Sequence, residues 1–145
     1  MIRRLILISA ATALLVACGT GAPFRSDHPL TDEEIIAQRA KARWDAIIAK
    51  DYAAAYEYLT PGTRATTPLN AYILRMSGAT LRWTDAKVGN VTCEEPDVCV
   101  ATVTISYTVR QTRPGLGDLG ADTPLKENWL RSGGQWYHLP EKTGR

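Results

Sequence analysis

From Thr31 onward the chain uses two hydrophobic periods in succession, a helical one and then an alternating one. Ile36, Ala40, Trp44, Ile47 and Ile48 recur at helical spacing and make one apolar stripe. Arg39, Lys41, Arg43 and Lys50 lie mostly off that stripe and read as its polar side. Thr31 and Glu34 have the spacing of a capping box, and Leu30 and Ile35 that of a hydrophobic staple. Asp32, Glu33 and Glu34 complement the positive end of the helix dipole. The pattern therefore predicts a helix from Thr31 to near Lys50. Asp51 is placed to cap a second helix over Tyr52 to Leu59, which Thr60-Pro61-Gly62 should stop. Thr67-Pro68 reads as an N-cap followed by proline in the first turn of a third helix, Leu69 to Met76, ending near Ser77-Gly78.

Beyond Gly78 the period falls to two. Leu81 and Trp83, then Ala86 and Val88, then Val91 and Cys93 alternate, with phase slips near Asp85 and Gly89. Such slips predict bulges and a bent strand. The next segment alternates without a break: Cys99, Ala101, Val103, Ile105, Tyr107 and Val109 face one way, and Thr102, Thr104, Ser106, Thr108 and Arg110 the other. A loop from Thr112 to Pro124 is expected next. A hairpin of Leu125 to Arg131 and Gln135 to Leu139 then turns at Ser132-Gly133-Gly134. A two-residue turn would pair His138 with Trp129, and a three-residue turn would pair it with Asn128. The predicted class is α+β, with N-terminal helices packed on a bent, mainly four-stranded antiparallel sheet.

Several of these segments resemble the nuclear transport factor 2-like superfamily, the cystatin-like α+β cone. The residues concerned are Trp44-Asp45-Ala46-Ile47-Ile48-Ala49-Lys50-Asp51-Tyr52 with Tyr56 and Leu59, then Glu127-Asn128-Trp129 and Gly134-Gln135-Trp136-Tyr137. The resemblance spans about residues 31 to 140 and lacks the small hairpin between the second and third helices. It implies a curved sheet wrapped on the long helix around a cavity. Isomerases, dehydratases, cyclases and non-catalytic proteins share that fold, so it does not by itself assign a function.

The N-terminus carries a different signal. Arg3 and Arg4 precede an apolar run of thirteen residues, Leu5 to Ala17. That is signal-peptide length and too short to span a bilayer core. Leu15-Val16-Ala17-Cys18 resembles the lipobox of bacterial lipoproteins. The resemblance implies cleavage before Cys18, acylation of Cys18 and palmitate-type chains that hold the protein on a membrane. Two buried chains already anchor stably, at about 0.8 kcal/mol per methylene. Gly19, rather than Asp, implies the outer membrane, facing the periplasm. The expected organisation is a leader over residues 1–17, a lipidated N-terminus and flexible tether over 18–29, and a single domain over 30–145.

Removing the leader changes the charge. The full chain has 17 Lys and Arg against 15 Asp and Glu, so losing Arg3 and Arg4 takes the net charge from +2 to 0. With no basic stripe, nucleic acid is not an expected partner. If Cys18 carries lipid, Cys93 and Cys99 remain as a pair on facing strands. An oxidising envelope predicts a disulfide between them, contributing about 2 kcal/mol through its short loop. A zinc site would need two further ligands, and the histidines are only His28 and His138. No cofactor is implied. Gly115-Leu116-Gly117-Asp118-Leu119-Gly120 spells a dinucleotide fingerprint, but Ala121-Asp122-Thr123-Pro124 blocks the helix it would have to open.

Candidate pocket residues are Trp44, Tyr56, Trp83, Asp85, Tyr107, Trp129 and His138. The aromatic ones suit either a core or a cavity wall. Asp45, Tyr56, Tyr72, Asp85, Tyr107 and His138 are the acid–base candidates. The expected function is a membrane-anchored envelope lipoprotein with a non-catalytic binding or scaffolding domain, its partner an envelope protein or a small apolar ligand. The alternative is a cavity enzyme, a hydrolase, dehydratase or isomerase, which needs a closed apolar pocket with an inward Asp or His; two of Asp45, Asp85 and His138 converging in one pocket would support it.

Overall fold

A computed structural model describes residues 29–110 and 117–141. Cys18, the 1–17 leader, most of the tether, and Gly115 and Leu116 of the glycine pattern lie outside the described residues. The first helix, α1 (Asp32–Ile48), starts at the capping box as expected. Glu34 N–H donates to Thr31 Oγ1 at 3.2 Å, and Thr31 N–H donates to Glu34 Oε2 at 2.8 Å. The next helices are α2 (Tyr52–Tyr56), α3 (Pro61–Thr66) and α4 (Leu69–Ser77). Four strands follow: β1 (Leu81–Glu95), β2 (Val98–Val109), β3 (Leu119–Ser132) and β4 (Gln135–Leu139). They form one antiparallel sheet in the order β1-β2-β3-β4, and α1 packs across β1 and β2.

The helical connections differ from expectation. α2 ends at Tyr56, because Tyr58–Thr60 is drawn into an extended contact along β4. His138 N–H donates to Tyr58 O at 2.7 Å, and Thr60 N–H donates to His138 O at 3.0 Å. This covers the β4 edge, which otherwise presents unpaired backbone groups. Thr60-Pro61 is not a stop. Thr60 Oγ1 accepts from Thr63 N–H at 3.2 Å, and Pro61 opens α3 at a position where no N–H is needed. Thr67 closes α3 instead of capping α4, whose N-cap is Pro68 without a side-chain bond.

In the sheet, the slips in β1 fall where the phase changes: register shifts lie between Trp83 and Asp85 and between Val88 and Val91, and a third lies between Cys93 and Glu95. The loop expected from Thr112 to Pro124 is shorter, because Leu119 to Pro124 already pairs with Val109 to Thr104. Pro124 is tolerated there because, among the described residues, that part of β3 has β2 as its only neighbour. Gly120 of the glycine pattern is thus a strand residue opposite Thr108, not part of a phosphate-binding turn. The β3–β4 turn has two central residues, Gly133 at φ 58° and Gly134 at φ 78°. Both need positive φ, which glycine supplies without strain. The turn therefore pairs His138 with Trp129 and sends His138 inward.

The core combines the α1 stripe (Ile36, Ala40, Trp44, Ile47) with Ala55, Leu59, Tyr72, Ala86, the odd-numbered β2 residues from Cys99 to Ile105, Trp129 and Trp136. Arg43 departs from the expected polar side: it is 7% exposed, and Glu127 opposite it is 4% exposed. A Cys93–Cys99 disulfide joins the ends of the β1–β2 turn. No helix among the described residues is long and apolar enough to cross a membrane.

Candidate functional site

Where α1 ends, Lys50 takes a left-handed φ of 63° and turns the chain into the Asp51 cap of α2. The same end of the molecule receives the last turn of α4 and the free ends of β1 and β2. Their side chains enclose an open groove of about 790 Å³. Ile47, Ile48, Tyr52, Met76, Leu81, Trp83 and Val109 supply its apolar wall. Lys50, Arg82, Arg110 and Asp118 supply its charged groups, three cations against one carboxylate. Leu81 and Leu119 each pair with Val109, so an apolar row crosses the ends of three strands. Leu81 is 37% and Leu119 61% exposed, which leaves the row in contact with water. An apolar concavity with a few polar groups at its mouth has the character of a small-molecule site.

Of the seven pocket candidates, only Trp83 lines this groove. Trp44 lies behind it, edge-on at 6.3 Å between ring centroids. Tyr56 is buried against Tyr72 at 5.5 Å, and its hydroxyl donates to Thr67 O at 2.8 Å. Asp85 is exposed and accepts from Ala86 N–H at 2.9 Å. Tyr107 is half-buried and accepts from the Thr123 hydroxyl at 3.4 Å. Trp129 is fully buried and lies 5.8 Å from the His138 ring. The structure therefore separates these residues, because Asp85 sits at a bulge facing out while His138 points into the core. Asp45 is also exposed and pairs with Lys41 one turn earlier.

The sequence reading missed a second constellation, in the core. Glu127 Oε1 accepts from Arg43 Nη1 at 2.8 Å and from Trp44 Nε1 at 2.7 Å. Burial raises the pKa of Tyr72, and Arg43 opposes that shift. Burial, reinforced by the Arg43 charge, holds His138 neutral with a pKa of about 2. Arg43 Nε, Glu127 Oε2, Tyr72 Oη, Trp129 Nε1 and His138 Nδ1 are buried without a hydrogen-bond partner among the described residues. The available signal was parity: Glu127 shares its strand phase with Trp129. No group of three or more His, Cys, Asp or Glu among the described residues is placed to hold a metal ion.

No known protein family matches the sequence, and no curated protein does. Solved structures do match the fold. A ketosteroid isomerase-like protein from Erwinia carotovora atroseptica superposes with a TM-score of 0.56 at 16% identity, over 74% of this chain and 92% of its own. A SEC-C motif containing protein from Rhodopseudomonas palustris gives 0.53 at 16%, over 70% and 73%. Another SEC-C motif containing protein, from Psychrobacter arcticus, gives 0.50 at 12%, over 78% of this chain and 63% of its own length. The chain shares the α+β fold of the ketosteroid isomerase-like protein, with helices packed on an open four-stranded antiparallel sheet.

Proposed function

We propose that this chain is an envelope lipoprotein, anchored through Cys18 to the outer membrane, whose domain binds a small anionic amphiphile. The reading rests on one observation: the apolar row of Leu81, Val109 and Leu119 lies beside a groove that carries Lys50, Arg82 and Arg110 against Asp118 alone. An apolar wall removes a hydrocarbon chain from water at about 25 cal/mol per Å². The excess cations favour an acidic head. The lipobox resemblance of Leu15 to Cys18 supports the anchor.

Native mass spectrometry of the tagged chain purified from membranes tests the binding. An acidic amphiphile bound to the wild type and lost in Leu81→Asp is expected. No adduct, or an adduct that survives Leu81→Asp, overturns the reading. The anchor is tested separately: Cys18→Ser should take up no labelled palmitate, and undiminished uptake would refute it. A second reading, a cavity enzyme, draws on the buried Glu127, Arg43, Tyr72 and His138, whose unpartnered polar atoms are unusual for a core. Binding is favoured because none of the four lines the groove.

A further inference from the structure

A second concavity, of about 470 Å³, shares no residue with the groove. It is lined by Arg39 of α1, Arg64 of α3, Tyr58 and Glu57 after α2, and Tyr137 of β4. The Arg39 guanidinium stacks over Tyr58 at 5.0 Å and over Tyr137 at 5.6 Å. Arg64 reaches the same Tyr137 ring at 5.7 Å. Two cations from different helices therefore converge on one aromatic ring. Arg64 pairs with Glu57, which is itself mostly exposed. Arg39 has no ion pair among the described residues, and its buried Nε has no hydrogen-bond partner among them. Burial lowers the Arg39 pKa, so holding its charge there has a cost. An anion in the cleft would offset that cost.

We propose that this cleft binds a phosphate group, with Arg39 as its principal contact and Arg64 as its second. A planar carboxylate is matched by one guanidinium fork. A tetrahedral phosphate presents oxygens in several directions and can meet two guanidiniums arriving from different elements. Tyrosine rings hold the forks by cation–π stacking, which suits arginine better than lysine. The phosphate can be free or part of an ester such as a lipid headgroup.

Calorimetric titration of the full chain in sugar-headed detergent tests this, with inorganic phosphate, glycerol phosphate and acetate as probes. Saturable phosphate binding is expected, at least tenfold weaker in Arg39→Gln and several-fold weaker in Arg64→Gln. Arg75→Gln, which alters a cation stacked on Tyr72 outside the cleft, should bind like the wild type. Tighter glycerol phosphate binding identifies an ester as the ligand, and tighter inorganic phosphate binding identifies the free ion. Absence of saturable binding, equal binding of acetate, or equal loss in Arg75→Gln would overturn the proposal. If Arg39→Gln does not fold, the Arg64→Gln comparison decides it. Loss of the amphiphile through Leu81→Asp leaves this titration unaffected, so the two readings fail separately.

Discussion

In the half of the molecule away from the groove, each junction is tied by specific partners. In the groove half, side chains are left facing water. At the N-terminus of α1, Asp32 accepts from Trp136 Nε1 at 2.9 Å and pairs with Arg131. Arg131 in turn pairs with Asp97 of the β1–β2 turn, and the Cys93–Cys99 bridge closes that turn. Further along α1, the Arg43–Glu127 pair connects the helix to β3 in the core. At the other end, Leu81 and Leu119 are exposed, Trp83 is half-buried, and Lys50, Arg82 and Arg110 have no ion pairs among the described residues. One half is specified by pairing and is expected to be sensitive to mutation. The other is under-filled and is expected to be tolerant, as the proposed binding groove requires. Four experiments test that contrast.

The largest effect should come from Glu127→Ala. It leaves Arg43 buried with no carboxylate, a change that costs about 3–5 kcal/mol when a buried pair loses one member. Urea unfolding should show that loss, while Arg82→Ala on the groove stays within about 0.5 kcal/mol of wild type. A double variant, Arg43→Met with Glu127→Met, removes both charges and should recover most of the stability. Equal costs for Glu127→Ala and Arg82→Ala would erase the distinction between the halves.

His138 should make the packed half acid-sensitive. Its pKa is about 2 in the fold, held down by burial and then by Arg43. Its unfolded value is about 6.5. Above that value both states are neutral there and its contribution is constant. As pH falls below it, only the unfolded chain takes the proton, so stability drops by about 1 kcal/mol per pH unit and continues to drop toward the folded pKa. Asp32, held low by the Trp136 hydrogen bond, loses its contribution only at lower pH, as the solution passes below the ordinary carboxylate range. Denaturant midpoints measured between pH 7 and 5 should therefore separate the two. His138→Asn should flatten that slope, and an unchanged slope would mean that another group titrates there.

Reducing the disulfide should have a smaller effect. The bridge closes a short loop with a sequence separation of 6, for which loop entropy predicts about 2 kcal/mol. Cys93→Ala with Cys99→Ala should lower stability by that amount and leave the amphiphile bound, because the bridge lies far along β1 and β2 from Leu81 and Val109. Loss of ligand in this variant would show that the two halves are coupled.

These contrasts also explain what could be read from the chain. The β2 alternation, the Thr31–Glu34 box and the β1 slips are local patterns, and each appears in the structure where its residues place it. Thr-Pro was ambiguous. The same pair opens α3 at Thr60-Pro61 and separates two helices at Thr67-Pro68, because the β4 edge recruits Tyr58–Thr60 and resets the chain. Arg43 and Glu127 were hidden for a different reason. They are 84 residues apart, and each looks like a surface charge until the sheet folds over α1. The groove is likewise made by strand ends and helix ends from distant positions. Its cations show no periodicity that marks them as neighbours.

The smallest effect sharpens the contrast most, because stability and binding should move in opposite directions. Lys50 sits at φ 63°, where a side chain is strained and glycine is not. Lys50→Gly relieves that strain and should stabilise the fold by up to about 1 kcal/mol. It also removes one of the three cations from the groove and should weaken amphiphile binding. A non-glycine residue that costs stability at an exposed helix end is explained if its charge is used there. Thermal unfolding and native mass spectrometry on the same variant measure both effects. A rise in stability with unchanged binding would leave Lys50 without a role in the groove, and the anionic head of the ligand would then have to rest on Arg82 and Arg110 alone.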